Sequence, residues 1–172
     1  MGKSRIQNHL KLAEKILSLS QDFLEALSRK SDRSIVVKMH MGFGKKMLST
    51  FEALIADATD GRAEAIHHLK TLVESYIYVR WIGQEDRNAK LIYAKMRNEK
   101  IKFYNENSGY LKKEDLDIWK ETFADSKKGI ESDWETFEKK KIPRLAKDCG
   151  LIDVYNRIEF IDFPVSQHIL AI

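Results

Sequence analysis

The chain has 172 residues, of which 43% are hydrophobic and 33% are charged. These proportions are typical of one folded globular domain and exclude an intrinsically disordered chain. Its 30 basic and 26 acidic residues give a formal net charge of +4, and because the two signs are interleaved, this charge permits RNA binding without requiring it. The single cysteine, Cys149, excludes an internal disulfide and a cysteine-based zinc site.

The sequence lacks the long apolar run that a membrane segment needs. No stretch approaches the roughly 20 apolar residues of a membrane-spanning helix, and the N-terminal segment lacks the apolar core of a signal peptide. One cysteine in the whole chain also suits a reducing compartment. We therefore expect a cytoplasmic protein with no membrane partner.

Apolar residues recur at three- and four-residue steps along most of the chain, which is the pattern of amphipathic helices. Two prolines and eight glycines leave little material for the turns of an all-β fold. The pattern predicts an all-α, single-domain bundle of six or more helices over residues 1–172. One of these helices is predicted to run from near Lys113 to Phe137, and Pro164 is predicted to end the last helix.

Two glycines, Gly42 and Gly44, fall inside the second predicted helix. Each costs about 1 kcal/mol there relative to alanine, so a kink or a close helix contact is expected. The surrounding segment, HMGFGKK, lacks the spacing of a phosphate-binding P-loop and has no Ser or Thr after its lysines. We assign this segment no nucleotide role.

Residues 62–83, RAEAIHHLKTLVESYIYVRWIG, form the most strongly apolar helix of the sequence. Its apolar side chains cover more than half of the helix circumference, which predicts a buried central helix rather than a surface helix. They are Ile66, Leu69, Leu72, Val73, Tyr76, Ile77 and Val79. The remaining arc carries His67, Thr71, Glu74 and Tyr78, with Lys70 and Trp81 at its edge. Ordinary packing residues, satisfied by their neighbours, are the alternative to a site on this arc.

A metal centre is one hypothesis for this arc. Glu64 and His67 form a Glu-x-x-His step, which places two ligands on one face of a helix as in di-iron bundles. A second step of this kind is absent from the sequence. Zinc or nickel could instead be bound by histidines that meet in space, but their spacing does not require it; these are His40, His67, His68 and His168. No residue is assigned as a metal ligand, and no cofactor is expected.

Ribonuclease chemistry is a second hypothesis. The spacing from Arg62 to His67 or His68 resembles the motif of HEPN domains, which are small helical ribonucleases of bacterial toxin and defence systems. In such a site an arginine can hold the scissile phosphate, and a histidine can move the proton of the attacking 2′-hydroxyl. Here Ala63 follows the arginine, where those motifs usually carry a polar residue.

Two blocks of the sequence resemble a bacterial family of unknown function, the DUF5677 family. The segment HHLKTLVESYIYVRWI is similar to its central helix, and KKIPRLAKDCGLIDVYNRIEFIDFPVSQH is similar to its C-terminal pattern. The resemblance covers the chain from about residue 45 to the end. Family members generally continue past the final histidine, so the resemblance implies a C-terminally truncated form.

The resemblance implies a set of site residues. Glu74 matches the helix glutamate, Tyr155 the tyrosine, and Ser166 with His168 the terminal pair. Lys70 stands where the family usually has arginine, which keeps the positive charge but loses the bidentate fork. In this interpretation Glu74 orients His168 and raises its pKa, and Ser166 is a hydrogen-bond partner or a nucleophile. A buried polar network that fixes the docking of the last helices is the structural alternative.

Three functional hypotheses follow from the sequence. The first is metal-independent RNA cleavage in a toxin or defence setting, with His67 or His168 as acid or base and Arg62 or Lys70 on phosphate. The second is a non-catalytic helical interaction module, with a homodimer or another protein as its partner. The third is a helical metal-binding protein. An open cleft that holds a histidine and a cation would favour the first, and an exposed apolar patch the second.

Overall fold

The computed structural model describes residues 2–29, 34–107 and 113–169, and the side chains of residues 7–29, 34–107 and 114–160. Within these ranges the chain forms eight α-helices and no strand, which confirms the predicted all-α bundle. The helices are α1 (Gly2–Ser28), α2 (Ile35–Thr59), α3 (Ala65–Ile82), α4 (Asp86–Glu106), α5 (Lys113–Lys127), α6 (Glu131–Glu138), α7 (Ile142–Asp148) and α8 (Ile152–Ile169). None of these helices is long and apolar enough to cross a membrane.

Helix α3 is the central helix, as its broad apolar surface predicts. It packs against α2, α4, α7 and α8. Its burial is uneven. The buried residues Ser75, Ile77, Trp81 and Ile82 all lie in the C-terminal half, whereas the residues of the first half are partly buried or, at Leu69, exposed. The C-terminal half of α3 therefore contributes most to the core, although Tyr76 within it is exposed.

The core lies at the C-terminal end of α3 and is rich in aromatic rings. Trp81 stacks on Phe137 of α6 with ring centroids 4.9 Å apart and planes 6° apart. Trp134 packs edge-on against Phe123 at 5.3 Å. The placement of Trp81 at the edge of a polar arc is wrong, since only 5% of it is exposed. A helical wheel of α3 alone does not reveal that α6 covers this side.

The two glycines inside α2 have different surroundings. A Cβ on Gly44 would lie 2.7 Å from Leu24 Cδ2 of α1, so the close helix contact expected from the sequence is confirmed at this position. A Cβ on Gly42 would meet no atom within 4 Å. Packing therefore explains Gly44 and leaves Gly42 without a structural reason.

Two predicted helix boundaries are wrong. The helix predicted from Lys113 to Phe137 is divided into α5 and α6 by Gly129, whose φ of +79° lies in the left-handed region that glycine adopts readily. Helix α8 continues through Pro164 to Ile169. A proline inside a helix removes one backbone donor, and here this loss does not end the helix.

Candidate functional site

A polar cluster joins the first half of α3 to α8. Lys70 Nζ lies 2.8 Å from Glu159 Oε1, and both side chains are partly exposed. Tyr155 precedes Glu159 by one helical turn, so the two side chains share a face, and the Glu159 carboxylate acts on the Tyr155 hydroxyl. Glu74 follows Lys70 by one turn on α3, and its negative charge acts on Tyr155. The structure thus brings Lys70, Glu74 and Tyr155 together around Glu159.

The cluster extends the pH range over which the Tyr155 hydroxyl stays protonated. Desolvation, the hydrogen bond to Glu159 and the charges of Glu159 and Glu74 raise the pKa of Tyr155 to about 12, while the Lys70 charge opposes this rise. Tyr155 is therefore a neutral donor rather than a base or nucleophile. The Lys70–Glu159 ion pair joins α3 to α8, whereas Tyr155 acts on Glu159 within α8.

Stability at alkaline pH should depend on Tyr155 and Tyr78. Burial, followed by the charges of Glu99 and Glu74, also raises the pKa of Tyr78 to about 12 from its ordinary value of 10.0. A raised pKa in the folded state stabilises the protein fully below about pH 10, and this contribution is lost as the pH rises towards 12. We expect the free energy of unfolding to fall over this interval in the wild type and to fall less in Tyr78→Phe and Tyr155→Phe.

Urea unfolding at about pH 8 and about pH 11 measures this difference, because each phenylalanine variant lacks one of the two titrating hydroxyls. The ultraviolet absorbance of tyrosinate in the folded protein reports the ionisation directly. Equal losses of stability in the wild type and in both variants would show that other groups cause the alkaline transition.

The terminal pair implied by the family resemblance lies outside the described side chains. Ser166 and His168 belong to the last turns of α8, and the backbone of residue 168 follows Glu159 by about 14 Å of helix rise. The expected contact between Glu74 and His168 stays a prediction.

A second polar group lies where α2 meets α3. His68 Nε2 is 3.0 Å from Asp57 Oδ2, and Arg62 reaches Asp57 Oδ1 at 3.4 Å and Asp60 at 2.9 Å. The structure therefore brings Arg62 together with His68, through a carboxylate that the sequence analysis did not single out. Asp57 and His68 lie at similar distances along the chain from the turn that joins α2 to α3. Residues placed in this way on two antiparallel helices lie side by side, so this spacing could have identified the pair from the sequence.

His40 and His67, whose side chains the structure describes, do not gather around one point with His68. His67 is half-buried next to His68 on α3, whereas His40 lies beside Gly83 at the opposite end of this helix, about 22 Å away along its axis. Glu64 is exposed at the start of α3. No group of three or more histidine, cysteine or carboxylate side chains suits a metal ion among the side chains that the structure describes.

An open groove of about 770 Å³ runs between α1 and the middle of α3. We call it the apolar groove, because aliphatic and aromatic side chains of α1, α2, α3 and α8 form its walls. Its wall residues include Leu19, Phe23, Phe51, Leu72, Tyr76 and Val154. A groove of this form suits the apolar face of a helix.

Helix α1 carries two apolar faces. One face, which includes Leu10, Leu17 and Leu24 at helical spacing, is half-buried and packs on α2. A second face is exposed and was missed because the first already accounts for an amphipathic helix. We call it the apolar stripe; it consists of Leu12, Ile16, Leu19 and Phe23, which are 56%, 46%, 63% and 66% exposed.

Comparison with known proteins gives no family for this chain. No protein-family model matches it, and neither a curated protein nor a solved structure matches it significantly. The fold is an all-α bundle, and its function has to be argued from the apolar groove, the apolar stripe and the polar groups.

Proposed function

We propose that this protein is a helical interaction module that forms a homodimer through α1. The observation that carries the proposal is that three residues of the exposed apolar stripe, Ile16, Leu19 and Phe23, also form the α1 wall of the apolar groove. The stripe and the groove are therefore one continuous apolar surface, of the kind that receives the apolar face of a helix. The same stripe on a second copy can cover it, as a two-fold interface requires.

The spacing of the apolar stripe favours an antiparallel pairing. Its residues follow at steps of four, three and four, which is the alternation of a coiled-coil seam. Because this order of steps reads the same in both directions, an antiparallel copy places Leu12 against Phe23 and Ile16 against Leu19. Each of these side chains contributes about 1.5–3 kcal/mol when it becomes fully buried.

Charges beside the stripe fit the same arrangement. Lys15 and Asp22 are exposed on the side of the stripe that faces away from α2. In the antiparallel pair, Lys15 of each copy approaches Asp22 of the other, so the two-fold axis generates two opposite-charge contacts. A parallel pair would instead place the two copies of each residue on opposite sides of the seam, where Lys15 and Asp22 form no such contact.

Sedimentation velocity tests the proposal, and we expect a dimer with a micromolar dissociation constant. Disulfide trapping tests the direction of the helices in a Cys149→Ser background. An oxidised mixture of Leu12→Cys and Phe23→Cys chains should form a mixed disulfide, whereas neither variant should cross-link to itself. A monomer at every concentration, or self-linking of Leu12→Cys, would refute the proposed dimer.

Metal-independent RNA cleavage in a bacterial toxin or defence setting is a second candidate function. Its supporting observation is that Arg62 and His68 share the carboxylate of Asp57. A carboxylate that orients an imidazole next to a guanidinium is an arrangement that can transfer a proton beside a phosphate. A cytoplasmic location suits this activity.

An RNA-degradation assay in the presence of a chelator tests this candidate. We expect His68→Ala and Asp57→Asn to reduce cleavage at least about tenfold, since general acid or base catalysis is worth roughly 10²–10⁴ in rate. His67→Ala and His168→Ala test the two histidines named from the sequence. A folded wild type without activity would remove this candidate and leave the interaction module unaffected.

A further inference from the structure

A second cleft, on the opposite side of α2 from the apolar groove, is lined by charged and aromatic side chains. It lies between α2, α3 and α4 and has a volume of about 720 Å³. We propose that this cationic cleft binds a nucleotide, with the phosphates held by lysines and the base placed against aromatic rings. This proposal is independent of the dimer, because the surfaces involved are different.

Positive charge on both walls is the first argument. Lys38 and Lys46 of α2 line the cleft together with three cations of α4, namely Lys95, Arg97 and Lys100. The Lys95 ammonium also donates a hydrogen bond to the Lys140 carbonyl oxygen, and the Lys100 ammonium lies over the Trp119 ring. None of these five forms an ion pair with any residue that the structure describes. An anion between the two walls would therefore gain charge-assisted hydrogen bonds from two helices.

The aromatic rings supply the second argument. Phe43 and Tyr78 stack with centroids 5.3 Å apart and planes inclined by 21°, and both line the cleft. Arg97 lies over the Tyr93 ring at 4.7 Å and donates a hydrogen bond of 2.7 Å to its hydroxyl. Flat side chains next to cations are suited to a ligand that has both a ring and a phosphate.

Two carboxylates distinguish a nucleotide from a simple polyphosphate. Glu74 and Glu99 line the same cleft, and both act on Tyr78. Carboxylates repel phosphate, but they accept hydrogen bonds from sugar hydroxyls and exocyclic amines. A ligand with a phosphate at one end and a nucleoside at the other satisfies both kinds of group.

Gly42 supplies the third argument. It lies inside α2, where glycine costs about 1 kcal/mol relative to alanine, and no protein atom occupies the place of its missing Cβ. The position lines the cleft, so the absent side chain leaves the backbone open to close approach by a ligand. Binding here uses side chains on two helices, which agrees with the lack of a P-loop in this segment.

The test is calorimetric titration of the full chain with adenosine triphosphate, inorganic triphosphate and a short single-stranded RNA. We expect the nucleotide or the RNA to bind at least tenfold more tightly than inorganic triphosphate. Tighter binding of the RNA would identify a nucleotide within a strand as the ligand, and tighter binding of the mononucleotide would identify a free ligand.

Neighbouring lysines provide a matched pair of variants. Lys46→Gln removes a cleft cation and should weaken binding about tenfold, whereas Lys45→Gln changes the same charge outside the cleft and should not. Gly42→Leu fills the cleft and should abolish binding while the thermal unfolding transition is retained. The proposal is overturned by a folded wild type that binds none of the probes, by equal losses in both lysine variants, or by full binding in Gly42→Leu.

Discussion

Replacing Leu19 by aspartate is expected to weaken the proposed dimer at least about 100-fold. Leu19 is 63% exposed in the single chain, so the fold does not depend on it. In the antiparallel dimer it lies near the two-fold axis against Ile16, and the substitution places two carboxylates close together in an apolar contact. Both the lost apolar burial and the desolvation of charge oppose association. Sedimentation velocity over a concentration series measures the effect.

The neighbouring variant Ser18→Asp is the control for Leu19→Asp. Ser18 is exposed on the same helix, but it points away from the apolar stripe, so the same charge is introduced without entering the interface. We expect this variant to remain dimeric and both variants to retain wild-type circular dichroism. Equal dissociation of the two would show that negative charge on α1, rather than the apolar stripe, controls assembly.

The substitution Phe137→Ala is expected to reduce the free energy of unfolding by about 3–5 kcal/mol. Phe137 is 2% exposed and lies between the rings of Trp81 and Trp134. Its removal leaves a cavity between two large aromatic side chains that cannot both move to fill it. Urea unfolding followed by circular dichroism gives the difference, and tryptophan fluorescence reports the change around both indoles.

Phe103→Ala is the matched control for this core substitution. Phe103 is 57% exposed on α4, so the same chemical change should cost less than about 1 kcal/mol. A similar loss for the two variants would mean that α6 does not anchor the core. A loss confined to Phe137→Ala would establish the aromatic cluster as the main support of α3.

The fold class and the central helix were predictable because they depend on the period of the apolar residues within single helices. Trp81 is an example of what this periodicity does not predict. On a helical wheel of α3 it lies at the edge of the polar arc, but it is buried because it packs against α6, which is more than 40 residues away in the sequence. The division between α5 and α6 at Gly129 was also missed, since the apolar period continues on both sides of the break.

The sequence named part of the polar cluster between α3 and α8, and its role as a site stays a prediction. Lys70 pairs with Glu159 of α8, and the charges of Lys70 and Glu74 act on Tyr155. Glu159 joins them and was not foreseen, although its position one turn after Tyr155 is a usable signal. The partner of a charged residue across two helices depends on how those helices cross, and a single sequence does not carry that information.

The contact between Gly44 and Leu24 has a consequence for the width of the apolar groove. It is the closest approach of α2 to α1 at a glycine, and α1 forms one wall of the apolar groove. A larger residue at position 44 would displace this wall and widen the groove. Among related chains we therefore expect the two positions to change together, with a bulkier residue at 44 matched by a smaller one at 24, and the accepted partner to change with them.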